Sequence, residues 1–185
     1  MHKFSPSSVE RLDTEERRKK LPPAETLRRF GLKEGMTLVD IGAGSGYFSR
    51  AASEIIGLKG EIFATDISKE MLHHLESQGI PENITTVLSK EYEVPLANAI
   101  ANFVLIAFVA HETPDLKRFL KEAVRLTKKQ GRIAIIDWIK QEEEHGPPKK
   151  ERLSEELLDR TLNEYNVVKK GRLNESHYFR IIQNT

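Results

Sequence analysis

Two apolar runs, each closed by an acid, limit what this chain can fold into. The first, Leu38-Val39-Asp40-Ile41, runs straight into Gly42-Ala43-Gly44-Ser45-Gly46 and then Tyr47-Phe48. Read physically, this is a buried strand, a tight turn and the start of a helix. Glycine lacks Cβ, so the turn can adopt positive φ and a ligand can come close to the backbone. The helix start offers unpaired N–H groups to a polar or anionic ligand. About 20 residues beyond the loop, Glu61-Ile62-Phe63-Ala64-Thr65-Asp66 places a second acid at the end of a second apolar run. A ribose-binding carboxylate is expected there. Together the two features imply a nucleoside cofactor.

The spacing of the glycines narrows the choice. A dinucleotide fingerprint reads Gly-x-Gly-x-x-Gly, whereas Gly42, Gly44 and Gly46 read Gly-x-Gly-x-Gly, and Tyr47 stands where the third dinucleotide glycine would be. Asp40 ahead of the loop repels a pyrophosphate and suits a cationic ligand. S-adenosylmethionine, with its sulfonium and ammonium groups and a ribose, meets both demands. Asp40 to Gly46 resembles motif I of the class I S-adenosylmethionine-dependent methyltransferases, and Ala64-Thr65-Asp66-Ile67-Ser68 resembles the acidic end of their second strand. Asn83 to Ser89 with Val94-Pro95-Leu96 is similar to their third strand and the loop after it. Phe103 to Val109 is similar to strand four, and Leu126 to Ile136 to the strand-five motif. The likeness is to the branch holding the ubiquinone/menaquinone biosynthesis methyltransferases, from about Pro22 to Trp138 and more weakly to the end.

An alternation of strands and helices runs through the chain. Strands are expected over 36–41, 60–65, 84–88, 103–109 and 132–138. Helices are expected over 24–32, 47–56, from a Ser68 cap, from Thr113-Pro114 and over 154–164, and a closing strand pair over 166–173 and 177–182. Such a βαβ series makes a doubly wound α/β sheet with ligands at the carboxyl ends of its strands. The resemblance implies a Rossmann-like, three-layer αβα fold of seven strands, ordered 3-2-1-4-5-7-6 with strand seven antiparallel. Residues 22–185 are expected to form one methyltransferase domain. Residues 1–21, ending in Arg17-Arg18-Lys19-Lys20, read as an arm: a solvated face or a lid.

Among the 185 residues, 29 are basic and 28 acidic, and none is cysteine. That excludes disulfides and thiolate chemistry and gives no bulk charge for a polyanionic partner. The apolar stretch 99–110 is short for a membrane span and contains Asn102. The N-terminal residues lack a signal-peptide core. A cytoplasmic protein is expected, with a small-molecule partner, no nucleic acid, no membrane span, and a homodimer left open.

For the cofactor, the candidates are Asp40, Gly42, Ala43, Gly44, Gly46 and Asp66, each of which could instead serve the turn alone. The resemblance places Asp40 near the methionine moiety and an apolar Ile67 or Met71 against adenine, with core packing the competing role for Met71. Where the family often carries a glycine and an acid after strand three, this chain has Ser89-Lys90. Glu91 or the Ser89 backbone then stands in for the adenine contact, or the contact is lost. His111 follows strand four at the edge where acceptors sit. It is either a base with an ordinary pKa near ~6.5 or the floor of the acceptor pocket. Asp137 is the second acid on that edge, catalytic or simply hydrogen-bonded. His145-Gly146-Pro147-Pro148 reads as a stiff loop that covers the cleft or merely connects. His73, His74 and His177 read as solvent-facing or structural, and no cluster has metal-ligand spacing. The expected activity is methyl transfer to a small molecule. The alternatives are a non-catalytic S-adenosylmethionine-binding protein and a nicotinamide-dependent oxidoreductase.

Overall fold

A computed structural model describes residues 14–185. The part of the arm formed by residues 1–13 lies outside the described residues. The chain enters through α1 (Glu15–Lys20) and α2 (Pro23–Phe30). It then alternates through β1 (Thr37–Ile41), α3 (Tyr47–Ile56), β2 (Glu61–Asp66), α4 (Lys69–Ser77), β3 (Ile84–Leu88), β4 (Ala101–Ala107), α5 (Leu116–Leu126) and β5 (Thr127–Trp138). After α6 (Glu155–Thr161) it closes with β6 (Val167–Arg172) and β7 (His177–Gln183). The seven strands lie in the order 3-2-1-4-5-7-6, the order that the family resemblance implies. β7 runs antiparallel to both β5 and β6.

Strand alternation divides the core in two. Successive side chains point to opposite faces of a strand, and a parallel sheet covered on both faces reads as a continuous apolar run. In β4, Phe103 and Leu105 face α2, α3 and α4, while Val104 and Ile106 face α5 and α6. Leu38 and Val39 of β1 divide in the same way. Helix ends obey local chemistry. Ser68 caps α4 by accepting the Met71 N–H, Ser154 caps α6 through the Leu157 N–H, and Gly31 ends α2 in the left-handed conformation.

Several boundaries differ from the sequence reading, three of them for a clear backbone reason. β4 ends at Ala107 rather than 109 because Phe108 turns to φ +62°, which an extended strand cannot accommodate. A short 3₁₀ turn, Ala110–Glu112, follows, and α5 starts only at Leu116, where the Asp115 carboxylate accepts the Arg118 N–H. β5 begins at Thr127, five residues before the apolar run. Backbone pairing of Thr127 with Ala101, across a bulge, needs no apolar side chain.

Leu105 is fully buried in the central strand. Leu105→Ala should cost about 2–5 kcal/mol, read as a lowered denaturation midpoint in urea at unchanged slope.

Candidate active site

The loop after β1 is stitched onto the end of β2. The N–H groups of Gly42 and Ala43 both donate to the Thr65 carbonyl, at 2.8 and 2.9 Å. The Gly44 N–H donates to Asp66 Oδ2 at 3.0 Å, and the Gly46 N–H to the Ala43 carbonyl at 2.9 Å. These four loop donors are therefore used internally. The loop suits close approach by a cationic ligand better than it suits a pyrophosphate.

All three glycines hold positive φ, but they do different work. A Cβ on Gly42 would stand 2.3 Å from Val109, and one on Gly46 would stand 2.4 Å from Leu75. Both are required by packing. A Cβ on Gly44 would meet only the tip of Met71, at 3.5 Å. Gly44 thus borders open space beside Asp66, which is the cradle a ligand needs.

Asp66 is 9% exposed and also accepts the Ser68 N–H, at 2.9 Å. Burial raises its pKa, against the backbone donors of Ser68, Gly44 and Ile67. A carboxylate has about four acceptor positions, so capacity is left for ribose hydroxyls. Ile67 on one side and Leu88 on the other are each more than 40% exposed, and Leu88 lies in register with Asp66. Together with buried Met71 they give the carboxylate an apolar flank. Leu88 went unnoticed in the sequence, although its place opposite the acid follows from pairing two parallel strands. Ser89 is nearly buried, with its N–H on the Asp66 carbonyl. Lys90 pairs with Glu93 at 3.1 Å, and Glu91 lies in the turn between them. These residues fit an adenosine with a cationic tail.

Asp40 sits beneath the loop, fully enclosed. The Ser49 hydroxyl donates to its Oδ2 at 2.6 Å. Burial pushes its pKa up to about 6; the Ser49 bond opposes this and the Asp66 charge adds to it.

One strand over, His111 and Asp137 meet. The Asp137 carboxylate is fully buried and accepts both the His111 backbone N–H, at 3.1 Å, and its ring Nδ1–H, at 2.7 Å. It also accepts the Trp138 N–H at 2.8 Å. An ionised carboxylate only accepts, so the neutral imidazole keeps its proton on Nδ1 and leaves the Nε2 lone pair as the ring's acceptor. Burial disfavours the charged ring, but the Asp137 hydrogen bond and charge, with help from Glu112, outweigh it and hold the His111 pKa above the ordinary value. The sequence named both residues singly; their pairing needs adjacent strands in parallel register.

The loop after β5 wraps around buried Arg152, which donates to the carbonyls of Ile139, His145 and Pro147 and pairs with Glu143. Gly146 packs on the Trp138 ring, and the His145 side chain is exposed. Among the described residues there is no metal-ligand cluster. No helix among them is long and apolar enough to cross a membrane.

Asp40 bears the cost of its buried charge only where it is ionised. Its folded pKa lies above the unfolded one, so stability falls as pH rises from about 4 to about 6. Asp40→Asn should raise the ligand-free melting temperature at pH 7 by a stability gain of about 1–3 kcal/mol. The gain should vanish below pH ~4. Calorimetry across that range checks both halves.

Comparison with known proteins agrees with this geometry. A family model described as "Methyltransferase domain" matches residues 39–135. A solved S-adenosylmethionine-dependent methyltransferase from Aquifex aeolicus superposes with a TM-score of 0.92 at 32% identity, covering 99% of this chain and 100% of that one. The ubiquinone/menaquinone biosynthesis C-methyltransferase UbiE of Haemophilus ducreyi is 29% identical over 119 residues, covering 62% of this chain and 46% of its own length. A demethylmenaquinone methyltransferase from Geobacillus is 26% identical over 117 residues, covering 61% and 50%. The chain spans about half the length of these curated relatives. The matched segment runs from β1 into β5 and holds the glycine loop, Asp66 and His111, so the chain belongs to the methyltransferase domain family, among the class I S-adenosylmethionine-dependent methyltransferases.

Proposed function

We propose that this protein transfers the sulfonium methyl of S-adenosylmethionine to a small-molecule acceptor, with His111 as the base and Asp137 as the residue that orients it. The observation carrying this reading is the His111–Asp137 pair standing beside a loop shaped for the cofactor. Val109, two residues before His111, packs directly under Gly42. The bound cofactor supplies a carbon already activated for in-line displacement. The chain's task is then to orient the partners, exclude water and take a proton.

Asp66 binds the ribose, and Asp40 sets a negative potential near the methionine end. Ile67, Met71 and Leu88 cover adenine, with the Ser89 backbone and Glu91 as polar neighbours. Lys90, engaged with Glu93, contributes the edge of that pocket. The Nε2 of His111 accepts the acceptor's proton as the new bond forms. The relatives' names make reduced quinones the first acceptors to test. We further read residues 1–21 as an arm or lid on a single domain of 22–185. The protein is assigned to the cytoplasm, without nucleic-acid partners.

Titration calorimetry with S-adenosylmethionine tests the cofactor half. Asp66→Ala should weaken binding by about 10–100-fold, the loss of a hydrogen bond to a charged group. Unchanged affinity in a folded variant would refute the ribose role.

Turnover of an acceptor, found by screening metabolites with methyl-labelled cofactor, tests the chemistry. His111→Gln should keep cofactor affinity and lose about 10²–10⁴ in rate. The rate should rise with pH through an ionisation above the ordinary histidine value, because the base must be neutral. Asp137→Asn removes what raises that pKa, so the ionisation should move downward. Identical profiles for wild type and Asp137→Asn would remove Asp137 from the mechanism.

A further inference from the structure

The two ends of the sheet are finished differently. β6 and β3 each have one neighbour in the sheet, so each carries an open edge. Such an edge is a template for pairing with another chain, and proteins blunt it with bulges, lysines or proline. β6 is blunted. Its register slips between Val167 and Lys169, and Lys169 and Lys170 stand exposed along it. β3 has none of these devices. It reads Ile84-Thr85-Thr86-Val87-Leu88, uncharged, free of proline and β-branched at every position but the last. Its register with β2 runs without a shift. Thr85 and Leu88 are exposed, and the chain forms no helix between β3 and β4 over the face that Thr85 and Val87 share.

The ladder with β2 fixes which backbone groups of β3 face outward. The Asn83 carbonyl accepts the Ile62 N–H at 2.8 Å, and the Ser89 N–H donates to the Asp66 carbonyl at 2.9 Å. In a parallel pair alternate residues bond the neighbouring strand, so the odd-numbered residues of β3 serve β2. Ile84, Thr86 and Leu88 turn their N–H and C=O groups the other way. The Ile84 N–H is taken by the Pro81 carbonyl at 3.0 Å. Among the described residues no strand takes the Thr86 and Leu88 N–H groups or the outward carbonyls.

Reversed, β3 is complementary to itself. An antiparallel copy centred on Thr86 sets Ile84 opposite Leu88 and Thr85 opposite Val87. Thr86 meets Thr86 and exchanges both backbone bonds, and each Leu88 N–H donates to an Ile84 carbonyl. Aliphatic, β-branched and Thr–Thr pairs are the kinds that stabilise cross-strand contact. Beyond the strand ends, Asn83 falls across from Ser89 and Glu82 across from Lys90. Both charged residues are exposed, and twofold symmetry brings their attraction in twice. One like-charge approach opposes the pairing. Glu76 of α4 accepts from the Thr86 hydroxyl, so two such carboxylates come together near the axis.

We propose that β3 is a self-association surface: two copies of this chain pair β3 with β3, antiparallel about Thr86, joining their sheets into one, with Glu82 of each copy facing Lys90 of the other. A second copy fits better than a foreign strand, because one sequence supplies both sides of every residue pair and of the charge pair. Leu88 lies in register with Asp66, so the joint runs beside the cofactor edge. The surface does not depend on the methyl-transfer reading.

Sedimentation velocity of the full chain over a concentration series tests this. A species of twice the 21.1 kDa chain mass is expected at about 50 µM chain. Thr86→Pro removes an outward N–H that β2 does not use, so the fold should persist while the dimer is lost. Glu82→Lys and Lys90→Glu should each weaken the dimer about tenfold, and the double variant should regain wild-type association to within about threefold. Glu76→Gln should tighten the dimer, because it removes the like charges at the axis. Circular dichroism checks folding, and the charge exchange decides the matter if Thr86→Pro fails to fold. A chain that stays monomeric leaves β3 to some other partner and would overturn the proposal. A dimer that persists in folded Thr86→Pro, or that the charge exchange neither weakens nor restores, assembles elsewhere and would overturn it equally.

Discussion

The structure of the site depends on the paired hydrogen bonds from Gly42 and Ala43 to the Thr65 carbonyl. Two donors on one acceptor lock the turn after β1 against the end of β2. The lock brings the Gly44 N–H onto Asp66 and leaves the carboxylate fixed in direction. It also draws Gly42 against Val109 so closely that no side chain fits. The cofactor loop and the segment carrying His111 thereby become neighbours.

Around this knot the charges are placed where water cannot reach them. Asp40 is enclosed, with the Ser49 hydroxyl donating to it, and its own ionisation opposes folding at neutral pH. Such a group weakens the ligand-free protein, a common trade where a site is built for something other than stability. The His111–Asp137 pair works in the opposite sense. The charged ring is favoured by its partner, so the pair's contribution to stability is complete below the unfolded pKa of ~6.5 and is lost as pH rises through the higher folded value. The role proposed for His111 as a base needs the neutral ring, so it would draw on the state that helps the fold least.

The far side of the same strand end is aromatic, and Arg17 of α1 lies against it. Arg17 bridges Tyr47, at the start of α3, and Phe108, at the end of β4. The loop after β5 is stiffened by Arg152, whose guanidinium lies 5.0 Å from the Trp138 ring centre. The walls of the cleft are thus rigid on the β5 side, and on the α1 side they are held mainly by polar and cation–π contacts. An element without buried apolar surface opens at low cost.

Much of this was legible in the order of residues. Strand and helix identities follow from apolar period and caps, and Ser68, Ser154 and Gly31 act where their chemistry places them. The alternation of strands and helices predicted the doubly wound class, and motif resemblance supplied the strand order. The spacing of Gly42, Gly44, Gly46 and Asp66 pointed to the cofactor edge because a strand–turn–helix unit is local. What the sequence could not reveal is set by partners distant along the chain. Which glycine packs and which one opens depends on Val109 and Leu75, and the pairing of His111 with Asp137 depends on β4 lying beside β5 in parallel register. His177 reads as an ordinary surface or structural residue until β7 inserts antiparallel beside β5 and buries its N–H. Local propensity reports one residue's preference for its own backbone. Contact between residues 26 or 154 apart, as for His111 with Asp137 and Lys20 with Asn174, is decided only when the sheet assembles.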